Sequence, residues 1–185
     1  MTAQIRILKT QFLDYVSRFP SQEQVALDFL ELLDEGTVAF GRERLHGHFT
    51  ASCWLVNAAG DQVLLTHHRK LQRWLQLGGH ADGEQDLALA ALREAQEESG
   101  LSNLHVIDRI FDLDRHTIPA RAEEPEHDHF DVRYVIVANG SEDPVVSEES
   151  LDIAWRDIRE LADDPDSDAS MRRMARQWLT SPRDR

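Results

Sequence analysis

One cysteine, Cys53, in 185 residues excludes an internal disulfide. Its apolar setting, Ala51-Ser-Cys-Trp-Leu-Val56, fits a buried strand thiol rather than a nucleophile. Apolar runs are short: nothing approaches the ~20 residues a membrane helix needs, and the first residues lack the apolar core of a signal peptide. A cytoplasmic location and no membrane partner are therefore expected. Positive charge is also scarce. Twenty Lys and Arg face 34 Asp and Glu, a formal net charge of −14, so the chain as a whole repels polyanions and nucleic acid is not an expected partner. Repeats and low-complexity tracts are absent. The 41% hydrophobic and 29% charged shares are those of an ordinary folded domain, and the length suits one full core with a small appendage.

The acid that is present is concentrated where it counts. Residues 78–101 read GGHADGEQDLALAALREAQEESGL. From 86 to 99 the period is helical, with Ala88, Ala91, Leu92 and Ala95 forming one stripe. Asp86 is placed to cap the N-terminus, and Gly100 followed by Leu101 to stop the helix. Glu94, Glu97 and Glu98 then share a face away from the alanines. Like charges at these spacings repel by a few tenths of a kcal/mol per pair. Arg93 can reach Glu97 one turn on, but one guanidinium leaves most of the charge unanswered. A hard divalent cation, which takes carboxylates, water and phosphate oxygens, would answer it. Composition alone would make the three acids a solvated face.

The ordered whole points further. A double glycine, a polar loop and a capped helix with Arg-Glu-x-x-Glu-Glu-x-Gly-Leu resemble the signature of the Nudix hydrolases, spanning Gly79 to Leu101. The resemblance implies a Nudix-type α/β/α sandwich with a mixed sheet. It makes Glu94, Glu97, Glu98 and the Gly78 carbonyl the metal ligands, Mg²⁺ or Mn²⁺ the cofactor, and Gly79, Arg93 and Gly100 the structural members of the motif. Gln85 stands where the family carries a glutamate, with Glu84 just before it. Nudix proteins also draw a glutamate from a later loop as ligand or general base; here that is Glu149, with Glu148 in reserve.

The implied activity is hydrolysis of a phosphoanhydride in a nucleoside diphosphate linked to another group, such as ADP-ribose or another nucleotide sugar, or in a nucleoside triphosphate. Glu97, Glu98 and Glu149 are the candidate catalytic acids. A binding module of the same fold without catalysis is the alternative, with Gln85 its support. A zinc enzyme using His127, His129 and Asp131 is a second.

Before the motif, residues 4–18 carry Ile5, Leu8, Phe12, Tyr15 and Val16 at helical spacing, closed by Pro20. A second helix is predicted from a Ser21/Gln24 capping box to Gly36. This N-terminal helical extension, 1–41, precedes a domain at 42–185 and packs on it or on a second copy in a homodimer. Strands are predicted at 49–57, 62–67, 104–113 and 153–156, helices at 157–162 and around Met171, Met174, Trp178 and Leu179, and a fraying tail from 181. Basic residues His67, His68 and Arg69, and loop residue His80, are candidates for substrate phosphate. A strand at 127–134 alternates so that His127, His129, Asp131 and Arg133 share one face, a row suited to metal or phosphate or simply to mutual hydrogen bonding.

Overall fold

The computed structural model describes residues 2–121, 125–148 and 150–180. Its helices are α1 (Ala3–Arg18), α2 (Glu23–Asp34), α3 (Leu87–Ser99), α4 (Ile158–Asp163) and α5 (Ala169–Thr180). Its strands are β1 (Gly47–Val56), β2 (Gln62–His68), β3 (Arg73–Leu75), β4 (Leu77–His80), β5 (Leu104–Ile118), β6 (His127–Ala138) and β7 (Ser150–Asp157). The sheet runs β3-β2-β1-β6-β5, with β4 paired to β1 and β7 to β2. This is the α/β architecture implied by the resemblance: a mixed sheet with flanking helices and two further helices at the N-terminus. No described helix is long and apolar enough to cross a membrane.

Two compact units divide the chain. The first comprises the described residues of Met1–Ser52, Gly78–Ala91 and Ile107–Tyr134. Its core is aromatic: Phe12 of α1, Phe29 of α2, Phe49 of β1 and Phe130 of β6 are all buried, with ring centroids 5.3–6.4 Å apart, and Phe40 lies 5.0 Å from Phe49. Such pairs contribute about 0.5–1.5 kcal/mol each beyond their buried area. Arg115 of β5 binds Asp28 of α2 and Asp128 of β6 and lies over the Phe130 ring, so the helical pair is fastened by charge as well as by packing.

The second unit comprises the described residues of Cys53–Leu77, Leu92–Val106 and Val135–Arg185. Here β7 pairs antiparallel with the whole length of β2, and β3 with its end. Asp157 caps α4, accepting from the backbone N–H groups of Arg159 and Glu160. Met171, Met174 and Ala175 bury one face of α5, and the Trp178 indole donates to the Gly60 carbonyl at 2.9 Å. Cys53 is buried.

Two local expectations give way. The Ser21/Gln24 capping box does not form: Pro20 opens a 3-10 turn that leads straight into α2, and the residue before the helix, Gln22, makes no side-chain cap. Proline's fixed φ suits the first position of that turn, which puts Ser21 inside the turn rather than at a cap. Strand β5 continues past 113 to Ile118, because Arg115 and Thr117 find a cross-strand partner in Asp128, at 2.7–2.9 Å.

Candidate active site and a histidine cluster

The loop before α3 is tied down residue by residue within the first unit. Gly78 sits in β4 so close to β1 that a Cβ there would lie 2.6 Å from the Ser52 Cα, which only glycine avoids. Gly79 is the next residue of the same strand. Asp82, at φ 51°, accepts from Arg42 Nε and Nη2 at 2.5 and 2.7 Å. Gly83 donates to the Phe40 carbonyl. The Glu84 carboxylate accepts from Asp86 N–H, and the Gln85 amide oxygen accepts from the Thr2 hydroxyl at 2.6 Å. Asp86 then caps α3 as expected, its carboxylate accepting from Leu89 N–H at 3.1 Å.

Along α3 the buried stripe is Leu87, Ala88, Ala90, Ala91 and Ala95, while Leu92 is only half-buried. Within the second unit, Arg93 pairs with the neighbouring Glu94 at 2.8 Å, where the spacing points to Glu97. Glu94 is 16% exposed; Glu98 is half-buried and Glu97 exposed. The helix ends where predicted. Gly100, at φ 68°, donates to the Gln96 carbonyl, and Val145 N–H satisfies the Ser99 carbonyl at 2.8 Å. Glu148 is exposed; Glu149 lies outside the described residues.

The basic run at the end of β2 shapes the turn that follows. His67 stacks on Trp74 with ring centroids 5.2 Å apart. His68 Nδ1 accepts from the backbone N–H groups of Lys70 and Leu71. Arg69 donates to the Glu148 and Ser150 carbonyls. A cavity of about 820 Å³ in this unit is lined by Trp74, Arg73 and Arg156, but also by Asp157, Glu160, Asp164, Asp166 and Asp168. That balance of charge disfavours a phosphate there.

The His127-His129-Asp131-Arg133 face forms, but burial deepens along it and its two ends do different things. Asp131 and Arg133 are each 2% exposed and closed to a soluble substrate. Arg133 binds Asp131 at 2.7 Å, Asp112 at 3.1 Å and Asp114 at 3.3 Å, and Asp131 also accepts from the hydroxyls of Thr50 and Ser52. This is a buried ion network joining β1, β5 and β6. At the other end, His127 and His129 meet histidines that the sequence did not bring together. His48 of β1, His80 of β4 and His129 each present a ring nitrogen within 4.8 Å of the others. His127 lies 5.1–5.2 Å from His129 and His48, ring to ring, and His116 lies 5.5 Å from His129. His48 and His116 were missed; the only signal for the cluster was the His-x-His spacing on β6.

Burial sets the charge of these rings. It pushes the pKa of His48 down, that of His80 to about 4 with help from the Arg42 charge, and that of His129 to about 2 with help from its histidine neighbours. His116 moves up, because it hydrogen-bonds to the Asp114 carboxylate. Rings held neutral in the fold but protonated when unfolded stabilise the protein above about pH 6.5 and cease to do so as pH falls from there toward 4 and below. His116 has the opposite sign, its contribution being complete below 6.5 and lost as pH rises through its folded value. Three lowered rings outweigh one raised. Thermal melts of chelator-treated protein should therefore drop steadily between pH 7 and 5, His80 and His129 each adding a slope approaching about 1.4 kcal/mol per pH unit. His129→Gln should flatten the profile, and a melting temperature independent of pH over this range would contradict the assignment.

Comparison with known proteins follows the same lines. A NUDIX domain model matches residues 46–178. No curated protein is a significant match. Among solved structures, the chain is similar to a NUDIX-family hydrolase from Clostridium perfringens at 26% identity, covering 71% of this chain and 95% of that one with a TM-score of 0.51. It is similar to a C. elegans Ap4A hydrolase at 20% identity, 71% and 94% coverage and a TM-score of 0.53. It is also similar to an E. coli dihydroneopterin triphosphate pyrophosphohydrolase at 17% identity, 70% and 92% coverage and a TM-score of 0.54. The last two likenesses carry the fold alone.

Proposed function

Because the chain belongs to the Nudix family, whose domain spans residues 46–178, we propose that this pyrophosphohydrolase acts on a nucleoside diphosphate linked to a further group, or on a nucleoside triphosphate, with Mg²⁺ or Mn²⁺ as cofactor. The observation that carries the reading is the acid set of α3, with Glu94, Glu97 and Glu98 on one helix face and Arg93 bound to Glu94. All three donors are hard oxygens, the class that magnesium and manganese prefer. Bound there, a divalent cation would neutralise phosphate charge and acidify the attacking water.

The chain's own groups divide the remaining work. Arg93 fixes the Glu94 carboxylate, and the Asp86 and Gly100 caps fix the ends of the helix, so the acids stand on a rigid rod. A general base must reach the proton it removes. Glu97, the exposed member, can approach a water without breaking an existing contact; Glu149 is the other candidate. The Gln85 amide oxygen accepts from the Thr2 hydroxyl at the start of α1.

Two of the similar structures are named for Ap4A and for dihydroneopterin triphosphate, both phosphoanhydrides, which sets the range worth testing. The decisive experiment is a panel of nucleotide sugars, dinucleoside polyphosphates and nucleoside triphosphates, each with Mg²⁺ and with Mn²⁺, and products read by mass. Metal-dependent release of a nucleotide and a phosphorylated second product is the expected result. Tight nucleotide binding with no product from any member would overturn it.

A further inference from the structure

We propose that His48, His80 and His129 form a site for a borderline divalent metal such as Zn²⁺ or Co²⁺, built from residues and ligand chemistry wholly different from the acids of α3. Three imidazole nitrogens lie within 4.8 Å of one another, supplied by β1, β4 and β6. Around a tetrahedral zinc with Zn–N of about 2.0–2.1 Å, ligand nitrogens stand about 3.4 Å apart, a spacing reached by small rotations of the rings. His127 completes a fourth position. Its Nε2 is already 3.2 Å from that of His129, close to the edge of such a tetrahedron.

An independent observation aims these rings at a ligand. His48 is 3% exposed, and its Nε2 has no hydrogen-bond partner among the described residues, although its Nδ1 lies 3.4 Å from the Arg44 carbonyl. Donation from Nδ1 to that carbonyl puts the proton on Nδ1 and leaves the Nε2 lone pair as the ring's ligand atom. His127 repeats the device, its Nδ1 being 2.9 Å from the Pro125 carbonyl. His116 repeats it with Asp114 at 3.1 Å. Metal-binding histidines are typically oriented in this way, by a carbonyl or carboxylate on the far ring nitrogen. A buried imidazole nitrogen left without a partner is costly, and several neutral rings crowded together offer one another few donors. A cation with a preference for nitrogen would give the His48 Nε2 the partner it lacks.

Asp131, two residues on from His129, is not part of this site, because its carboxylate is held by Arg133, Thr50 and Ser52. The ligand set is therefore all imidazole. That favours zinc, cobalt or nickel over magnesium.

The test is metal binding by the full chain, without turnover as a readout. Protein stripped with chelator is titrated with Co²⁺ alone, following visible absorption, and then with Zn²⁺ alone, following displacement and calorimetry. One equivalent is expected, with Zn²⁺ raising the melting temperature. His80→Gln and His129→Gln should each weaken binding at least about 100-fold. Glu98→Gln should bind Co²⁺ as tightly as wild type, so loss of the hydrolase reading would leave this result standing. Circular dichroism checks that the variants fold; His127→Gln, expected to weaken binding less, serves where one of the other rings proves essential to folding. Absence of a Co²⁺ spectrum in the wild-type protein, or binding insensitive to every histidine change and lost in Glu98→Gln, would overturn the proposal.

Discussion

Glu98→Gln should lose at least about 100-fold in turnover, or about 2.7 kcal/mol of transition-state stabilisation, while melting within about 1–2 °C of wild type. The substitution keeps the shape of the side chain and its place on α3 but removes one negative charge from the acid face. Replacing an outer partner of a metal ligand typically costs 10–100-fold, so a ligand itself should cost at least the upper end of that range. Glu97→Gln tests a different role. If Glu97 removes the proton from water, its variant should lose turnover while Mg²⁺ affinity falls less than in Glu98→Gln. Wild-type rates from Glu98→Gln at saturating Mg²⁺ would remove α3 from the chemistry.

The largest effect on stability is expected at Arg133. Its side chain is 3% exposed and answers Asp131, at 2% exposure, and Asp112, at 0%. Arg133→Met would leave these carboxylates buried without their cation, a loss of about 3–5 kcal/mol. For a chain of this length that is roughly 10 °C in melting temperature. The sign depends on which residues change: replacing the arginine and its acids together by apolar residues of similar volume should recover much of the loss, because a buried ion network contributes little beyond what its own desolvation costs. Arg133→Met melting with the wild type would show that the network opens to water.

What the sequence revealed and what it hid follow the range of the interactions involved. Helix α3, its Asp86 cap and its Gly100 stop rest on contacts within five residues, so spacing alone located them. The capping box at Ser21 was equally local, yet it lost to Pro20 one residue earlier. Alternation placed His127, His129, Asp131 and Arg133 on one face, but a period of two cannot tell how burial changes along a strand. Only the neighbours do that, and here Thr50, Ser52 and Asp112 come from other strands. The histidine cluster was least legible. Its members are 32, 36 and 11 residues apart from His48 to His80, His80 to His116 and His116 to His127, and nothing in those intervals carries the register that joins them.

The aromatic cluster of the first unit reaches beyond the matched Nudix region. The family match starts at residue 46, yet Phe49 and Phe130 pack on Phe12, Phe29 and Phe40, all upstream of it. A polypeptide trimmed to the recognisable region would carry two large rings stripped of their cover and would aggregate rather than hydrolyse. The two leading helices, easily mistaken for an ornament on the enzyme, supply Phe12 and Phe29 to the core that Phe49 and Phe130 share.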